Sequence, residues 1–476
     1  MSRYGSVSEK YICSPTSVRG TPPIYVTPPP SKPSEQTPFT EPSFTASPPA
    51  RFPEWPLSPP CATFWELIQG FSEYPLATSL FSDISTAAPD AILGITEAFR
   101  SDPEPSKVNL GVGVYQDAEG RIPMLRSIQE AARQWITTED TKTYLPIDGV
   151  AAFNVANQEL IFGKDSSVIK EKRSATIQTV GGSGALKLGI DFIRKFFPES
   201  SIYVSNPSWE NHRVIFEATG IKVETYPYYD PKTSGLRSAD MLETLRGLKP
   251  NTAVLLHACC HNPTGVDLDA KTWAEIATIC AEKNLIPFID CAYQGFAEGL
   301  EADAAPIRLF AEKGLTFLVA NSFAKSFSMY RERVGGLSVV TGSQKEALAV
   351  LTQLKRLVRT IYSSPPSYGA QLVGIVLTNP ELRALWVSEL DEMRNRINDM
   401  RHLFVERLEE TVPARDFSFI TRQRGMFSYS GLPTDVMKAL RERYHVYGLD
   451  SGRICVAALN RKNVNYVCQS IANVLR

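Results

Sequence analysis

Between about residues 125 and 345, short apolar segments alternate with amphipathic stretches, and this alternation restricts the fold more than any other feature of the chain. Seven apolar segments have the length and composition of β-strands. The stretches between them, such as residues 267–283, carry apolar residues at helical spacing. The pattern predicts an α/β fold with a mostly parallel central sheet flanked by helices. The strand candidates are Ala175–Val180, Ser201–Val204, Lys222–Tyr226, Thr252–His257, Leu285–Asp290, Leu315–Asn321 and Leu337–Thr341.

The pattern changes on both sides of this region. Before it, Ala91–Arg100 has helical spacing, and Val108–Tyr115 has the composition of a strand that contains two glycines. Glycine inside a strand is typical of a bulge or of a close approach by a ligand. Beyond about residue 345, the pattern predicts a long helix over 384–411, several short elements, and a final helix over 462–475, as in a smaller α+β domain.

Residues 1–75 differ in composition from the rest of the chain. Of the 34 prolines, 15 lie within the first 60 residues, and serine and threonine fill much of the remainder. Such a stretch buries too little apolar surface to offset the entropy of ordering it, so we expect a disordered extension. Arg3, Lys10 and Arg19, with Glu9 as the only acid among the first twenty residues, allow two interpretations. We expect a cytoplasmic protein with a plain tail, and the alternative is a mitochondrial transit peptide.

The charge and the cysteines exclude several classes of protein. The net charge of −1 gives no overall field that would favour nucleic acid or an anionic membrane. No apolar run reaches the length of a membrane span. The eight cysteines show no C-x-x-C pair or ligand-like spacing, so we expect a reduced intracellular protein without disulfides or a metal.

Polar groups follow the ends of the predicted strands, where open α/β sheets bind ligands. Lys325 follows one strand, with Ser322 and Arg333 nearby. A lysine at the mouth of a buried strand can lose its proton, and its neutral amine forms Schiff bases with carbonyls such as that of pyridoxal phosphate (PLP). Asp290 ends another strand, where a buried carboxylate needs a cationic partner. A protonated pyridine nitrogen is one such partner.

Other strand ends carry weaker signals. The turn Gly181–Gly184 opens a helix, as phosphate sites do, although most glycine-rich turns are only turns. Trp209 could stack on a flat ring or belong to the core. Asn262 lies in the turn Asn-Pro-Thr-Gly. Arg359 and Arg453 suit carboxylate binding, but single arginines are more often surface ion-pair residues.

Taken together and in order, these residues closely resemble the aspartate aminotransferase family, which are class I, fold-type-I PLP enzymes. The resemblance runs from about residue 81 to the C-terminus. It rests on the segments Ser-Asn-Pro-Ser-Trp209, Cys-Cys-His-Asn262-Pro-Thr-Gly, Asp290-x-Ala-Tyr293-Gln-Gly-Phe, Ser322-x-x-Lys325-x-Phe, Tyr330-x-Glu-Arg333-Val-Gly, Ser-x-Pro-Pro366 and Ser-Gly-Arg453.

The resemblance implies a domain organisation and a homodimer with shared active sites. In this family the small domain combines a segment before the large domain with the C-terminal part. The implied divisions are an extension over 1–75, an N-terminal arm over 76–89, the first small-domain segment over 90–121, the large PLP-binding domain over 122–392 and the second small-domain segment over 393–476.

The resemblance also implies a role for each site residue. Lys325 would hold PLP as a Schiff base and move the substrate proton, and Asp290 would keep the pyridine nitrogen protonated, with His212 and His257 behind it. Tyr293 and Asn262 would bind the ring oxygen, and Trp209 would pack on the ring. The phosphate would contact Gly182, Ser183, Ser322, Arg333 and, from the neighbouring subunit, Tyr144.

For the substrate, the resemblance implies that Arg453 binds the α-carboxylate, with Asn262 and Gly113 nearby. Arg359 of the neighbouring subunit would bind the side-chain carboxylate of aspartate or glutamate. The expected reaction exchanges amino groups between L-aspartate and 2-oxoglutarate, giving oxaloacetate and L-glutamate. The alternatives are an aromatic or broad-specificity aminotransferase and a catalytically silent binding protein, against which the intact Lys325 and Asp290 argue.

Two single positions and one run of four residues depart from the usual family pattern. Ala324 stands where some relatives have serine, and Ser364 stands where asparagine is usual. The run Ser326-Phe-Ser-Met replaces the more usual Asn-Phe-Gly-Leu beside the lysine. None of these changes removes a catalytic group, so they leave the substrate preference more open than the activity.

Overall fold

Thirteen strands and fourteen α-helices are described by the computed structural model, which covers residues 79–86 and 91–476. The predicted disordered extension over 1–75, together with residues 76–78 and 87–89 of the predicted arm, lies outside the described residues. Among the described residues, no helix is both long and apolar enough to cross a membrane. The strands are β1 Val108–Asn109, β2 Ser174–Val180, β3 Ser201–Asn206, β4 Lys222–Pro227, β5 Tyr229–Asp230, β6 Gly235–Leu236, β7 Ala253–His257, β8 Ile286–Cys291, β9 Phe317–Ser322, β10 Val334–Val340, β11 Phe427–Tyr429, β12 Val446–Tyr447 and β13 Arg453–Cys455.

The helices lie between these strands and after them. Short 3₁₀ helices occupy Ser418–Arg422 and Val456–Ala458. The α-helices are α1 Ala91–Ser101, α2 Arg126–Thr138, α3 Ala151–Phe162, α4 Ser167–Lys170, α5 Gly181–Phe196, α6 Glu210–Glu217, α7 Ser238–Arg246, α8 Ala270–Lys283, α9 Leu300–Glu312, α10 Gln344–Ile361, α11 Tyr368–Thr378, α12 Pro380–Thr411, α13 Thr434–Tyr444 and α14 Val464–Leu475.

All seven predicted strands join one sheet, in the order β2-β10-β9-β8-β7-β3-β4. The neighbours from β9 to β4 pair in parallel, and β10 runs antiparallel to both β2 and β9. The prediction of a mostly parallel α/β sheet is therefore confirmed. Six strands end at the same edge of the sheet, and β10 begins there.

The predicted strand over Val108–Tyr115 is wrong for most of its length. Only Val108 and Asn109 form a strand, which pairs in parallel with β12. The chain then leaves the ladder, and a Cβ atom built on Gly113 would lie 2.5 Å from the Phe427 ring. The glycine at this position therefore allows close packing by an aromatic side chain.

Residues 79–85 and 86–476 belong to separate compact units. In the first unit, the amides of Ser82 and Ile84 donate to the carbonyls of Ser79 and Phe81, which forms a turn. In the second unit, the helices of the C-terminal part, among them α12 and α14, share an apolar core with α2 and α11. Two further clusters pack against the two faces of the sheet.

The residues at the start of the long helix α12 favour helix initiation. The Asn379 side chain accepts hydrogen bonds from the amides of Glu381 and Leu382, and Pro380 occupies the first helical position. We expect Asn379→Ala to lower the free energy of unfolding by about 1 kcal/mol, since two amides lose their acceptor. Urea unfolding of Asn379→Ala beside Asn379→Ser, which keeps a capping oxygen, measures this, and an equal loss in both variants would contradict the capping role.

Candidate active site

A cleft with an empty volume of about 720 Å³ opens at the edge where the parallel strands end. Asp290, Ser322 and Lys325 lie at or near strand ends, because the carboxyl ends of parallel strands meet at one edge of the sheet. Phe427 and Arg453 come from β11 and β13 instead. All of the predicted site residues except Tyr144 and Arg359 line this cleft. The lining consists of Gly113, Gly182, Ser183, Leu186, Trp209, Asn262, Asp290, Ala292, Tyr293, Ser322, Lys325, Arg333, Phe427 and Arg453.

Lys325 lies three residues after β9, with its Nζ 4.9 Å from the centre of the Tyr293 ring. Burial lowers the pKa of Lys325 against the opposing effect of the Asp290 carboxylate, and with a smaller contribution from the Arg333 charge the pKa is about 8. At pH 7 a pKa near 8 leaves about a tenth of the amine neutral, far more than an exposed lysine. The amine is therefore a usable nucleophile.

The turn that carries Lys325 is fixed from both sides. The Trp386 indole nitrogen donates to the Ser326 carbonyl at 2.8 Å, and the Ser328 hydroxyl donates to the Pro123 carbonyl at 2.6 Å. Ser328 has a φ of +52°, in the left-handed region that favours glycine. Its side-chain hydrogen bond helps to hold this backbone conformation, and it occupies the position where the family usually has glycine.

Asp290 is the last member of a relay of hydrogen bonds. Its Oδ2 lies 3.0 Å from Nε2 of His212, and Nδ1 of His212 lies 2.9 Å from the Ser208 hydroxyl. That hydroxyl is 3.4 Å from Nε2 of His257, whose Nδ1 accepts from the Asn262 amide at 3.3 Å. Because a backbone amide can only donate, this order of bonds leaves His212 donating to Asp290.

The relay affects the ionisation of its members. Burial alone would raise the pKa of Asp290, but the hydrogen bond and charge of His212, with smaller effects of His257 and Lys325, hold it below its ordinary value. Burial and the nearby His212 lower the pKa of His257 to about 3, so His257 stays neutral. The cleft therefore contains a buried carboxylate that stays ionised at neutral pH.

At one end, the cleft has the composition of an anion site. Gly182 and Ser183 form the first turn of α5, where amide groups without helical partners point outward. Ser322 and Arg333 stand beside this turn, and a Cβ atom on Gly181 would lie 2.6 Å from the Arg333 guanidinium. The glycine lets the arginine lie against the helix start. Positive charge and free amides thus converge at this end.

At another part of the cleft, Arg453 is 1% exposed and is held by three contacts. It donates to the Gly111 carbonyl at 2.7 Å and to Oδ1 of Asn262 at 3.1 Å, and its guanidinium lies 4.1 Å from the centre of the Phe427 ring. Its Nε has no hydrogen-bond partner within the described part of the chain. A buried donor without a partner suits an anionic ligand.

Tyr144 and Arg359 lie away from this cleft. The Tyr144 side chain is 92% exposed. Arg359 is also exposed, in the last turn of α10, and donates to the Ser363 hydroxyl. Both side chains are therefore free to contact another molecule.

Three lining residues carried no sequence signal for a site. Leu186 follows the apolar spacing of α5, and Ala292 lies between Asp290 and Tyr293. Phe427 belongs to a short segment with no distinctive pattern, yet its ring contacts Arg453 and lies edge-on to Tyr293 at 6.1 Å between ring centres. Only its place inside the quoted motif Asp290-x-Ala-Tyr293 could have indicated Ala292.

The fold and the cleft define an α/β protein that can hold a flat anionic carbonyl compound between a nucleophilic amine and a carboxylate. Residues 105–471 match the family Aminotransferase class I and II, and the chain belongs to this family. An aspartate aminotransferase of Pseudomonas aeruginosa is 51% identical over 397 residues, which are 83% of this chain and 100% of the relative. An aromatic-amino-acid aminotransferase of Escherichia coli is 48% identical, with the same coverage.

A solved structure is also similar to this chain in both sequence and fold. The aromatic-amino-acid aminotransferase of Burkholderia pseudomallei, covalently bound to pyridoxal phosphate, is 52% identical to this chain and superimposes with a TM-score of 0.82. The match covers 84% of this chain and 100% of that one.

The ionisation of Lys325 can be tested on the cofactor-free protein. The neutral amine is the reactive form, and it predominates above the pKa. We expect the rate at which the protein couples to PLP to rise with pH and to level off above about 8. Stopped-flow absorbance at a series of pH values measures this rate. A rate that is flat around pH 8 and rises only near 10.5, the ordinary value for lysine, would contradict the effect of burial.

Proposed function

We propose that this protein catalyses PLP-dependent transamination between L-aspartate and 2-oxoglutarate, giving oxaloacetate and L-glutamate. The observation that carries the proposal is the meeting of Lys325 and Asp290 in one cleft. The amine and the carboxylate are the two groups that this chemistry requires at opposite ends of a pyridine ring.

The residues of the cleft fit PLP. Gly182, Ser183, Ser322 and Arg333 would hold the phosphate, since they combine free helix amides with a hydroxyl and a guanidinium. Tyr144 of the neighbouring subunit is the remaining proposed phosphate ligand. Tyr293 and Asn262 would bind the ring oxygen, and Trp209 would pack on the ring face. Asp290 would pair with the ring nitrogen.

PLP, when bound, supplies an electron sink for the negative charge that develops at the substrate α-carbon. Lys325 would hold the cofactor through its Nζ, and the same amine, when free, would move the proton of the substrate α-carbon. Asp290 stays ionised, because the His212 donor stabilises its charge. It therefore keeps a proton on the ring nitrogen.

Arg453 binds the α-carboxylate of the substrate. Its unpartnered Nε and its burial make a carboxylate contact strong, and Asn262 and the packed Phe427 ring hold the guanidinium in place. Gly113 lines the same part of the cleft.

We further propose a homodimer with shared sites, in which Arg359 and Tyr144 reach the cleft of the partner. The exposure of both side chains supports this arrangement, as does the exposure of the apolar side chains Ile122 and Met124, which are 49% and 69% exposed. The small domain would comprise residues 90–121 and 393–476, beside a large domain over 122–392. We propose a cytoplasmic location, with the mitochondrion as the alternative.

Arg359→Ala tests the substrate class. A fixed cation favours a side-chain carboxylate, so we expect kcat/KM for aspartate to fall by about 100-fold or more and that for phenylalanine to change less than about tenfold. Arg356→Ala, at an exposed arginine one turn earlier in α10, is the matched control. Equal losses for the two substrates would remove Arg359 from the proposed role.

The aromatic or broad-specificity alternative has its own support, because relatives named aspartate aminotransferase and aromatic-amino-acid aminotransferase are 51% and 48% identical to this chain. The uncharged Ser364, beside Arg359 in sequence, leaves room for such a preference. Comparing kcat/KM for aspartate, glutamate, tyrosine and phenylalanine decides between the two. A value for phenylalanine as high as that for aspartate would replace the dicarboxylate proposal by the broad-specificity one.

A further inference from the structure

A second cavity, with an empty volume of about 1040 Å³, lies behind the loop that carries Asn262. Its lining shares no residue with the cleft. Its walls come from the loop after β7, from the first turns of α8 and α9, and from Arg424. Most of the lining is apolar, including Leu268, Trp273 and Leu309. The cavity therefore leaves room for a ligand beside the loop that the substrate site depends on.

Three potential metal ligands meet at one wall of this cavity. The thiol sulfurs of Cys259 and Cys260 and a carboxylate oxygen of Asp303 all lie within 4.8 Å of one another, and all three residues are buried. Cys259 and Asp303 line the cavity, so an ion held by the three would have open space on one side.

The Asp303 carboxylate keeps one acceptor position free. It accepts hydrogen bonds from the amides of Gly295, Ala297 and Glu298 at 2.8, 3.0 and 2.9 Å. A carboxylate has about four lone-pair positions, so one remains for a further partner. The three amides also fix the carboxylate in place, as outer contacts do for metal ligands.

The surroundings also contain the buried positive charge of Arg401, on which the Asp267 carboxylate acts electrostatically without forming a close ion pair. Arg401 is buried, donates to the Gly425 carbonyl and to Oδ1 of Asn398 at 2.9 Å, and acts electrostatically on Cys260. No carboxylate within the described residues lies within 4.0 Å of its guanidinium. Two thiolates, one carboxylate and a divalent cation sum to one negative charge, which Arg401 would balance.

We propose that Cys259, Cys260 and Asp303 form a binding site for a thiophilic divalent cation of the Zn²⁺ or Cd²⁺ class, with the fourth ligand entering from the cavity. A tetrahedral ion of this class holds its ligand atoms roughly 3.5–4 Å apart. The three atoms lie within 4.8 Å of one another, so binding draws them together by no more than roughly 1 Å. On binding, two S–H bonds break, two sulfur–metal bonds form, and two protons pass to the solvent. The spacing of the cysteines did not indicate a metal site here, because the third ligand, Asp303, is distant from them in sequence.

Binding at this site acts on the substrate pocket through a short connection. Cys260 is two residues before Asn262, and Oδ1 of Asn262 accepts from Arg453. Drawing the two sulfurs toward an ion moves the loop and disturbs that contact. We expect the affinity of the holoenzyme for succinate, a dicarboxylate that cannot react, to fall about fivefold or more when the ion is bound.

The test uses Cd²⁺ alone as the probe, added to the PLP-loaded enzyme. Calorimetry in buffers of different ionisation enthalpy counts the ions and protons, and ultraviolet absorbance detects cadmium–thiolate charge transfer. We expect one Cd²⁺ and two released protons per chain, with charge transfer in the wild type and in Cys280→Ala, whose buried thiol is the matched control. Cys259→Ala combined with Cys260→Ala lowers the association constant about 100-fold or more.

Two results would overturn the proposal. One is the absence of cadmium–thiolate absorbance in the wild-type holoenzyme, which shows that the buried thiols only pack in the core. The other is absorbance that survives unchanged in the double variant, which places the ion elsewhere. If the double variant does not fold, Cys259→Ser alone decides between the sites, because Cys259 faces the cavity.

Discussion

Lys325→Ala is expected to lower kcat for aspartate by at least about 10⁴-fold, the upper range for a positioned proton-transfer group. Lys325 is the only lysine that lines the cleft among the described residues, so no neighbouring amine can replace it. The proposed phosphate ligands Arg333, Ser322 and the first turn of α5 are unchanged, so the variant should still bind the cofactor without a covalent link. Single-turnover kinetics with aspartate measures the loss, and mass spectrometry after borohydride reduction measures the link.

The control for this variant is Lys313→Ala. Lys313 is exposed and follows α9, away from the cleft, so its removal should leave kcat unchanged. A Lys325→Ala enzyme that retained a tenth of the wild-type rate would contradict the assignment of the proton transfer to this amine.

Asp290→Asn is expected to lower kcat by about 10²–10³-fold. The substitution removes the fixed negative charge that is proposed to keep the ring nitrogen protonated, and that charge matters most in the transition state. Asparagine has nearly the same shape as aspartate, so the variant changes the charge and not the packing of β8. The His212 hydrogen bond at 3.0 Å can persist to the amide oxygen. The expected loss is mainly in kcat, since Asp290 makes no proposed contact with the substrate carboxylates.

A matched variant isolates this electrostatic effect. His212→Gln keeps a side-chain donor toward Asp290, and we expect a loss in kcat smaller than that of Asp290→Asn. A larger loss in His212→Gln than in Asp290→Asn would show that the relay, and not the Asp290 charge, carries the effect.

The sheet was predictable from the sequence because each central strand is buried on both faces and therefore reads as a continuous apolar run. The antiparallel direction of β10 was not predictable, since a buried run has the same pattern in either direction. Gly335 in this strand lies against the backbone of Gly181, a contact that couples β10 to the start of α5 and has no signal in the apolar pattern.

The site was predictable where polar groups follow strand ends, because the fold brings those ends together. This holds for Asp290, Lys325 and Asn262. Phe427 was not predictable, because its position depends on the packing of a distant segment against Gly113 and Arg453. Arg359 is a separate case, because its proposed target lies in a neighbouring subunit and the cleft of its own chain does not include it.

The central claim is that this cleft holds PLP on a lysine and uses it to transfer amino groups between dicarboxylates. Absorbance titration of the purified PLP-loaded protein tests it most directly, with aspartate, glutamate, phenylalanine or alanine added one at a time. We predict that aspartate converts the band of lysine-bound PLP into that of the aminated cofactor, and that 2-oxoglutarate restores the first band. An unchanged spectrum with every amino acid would contradict the account.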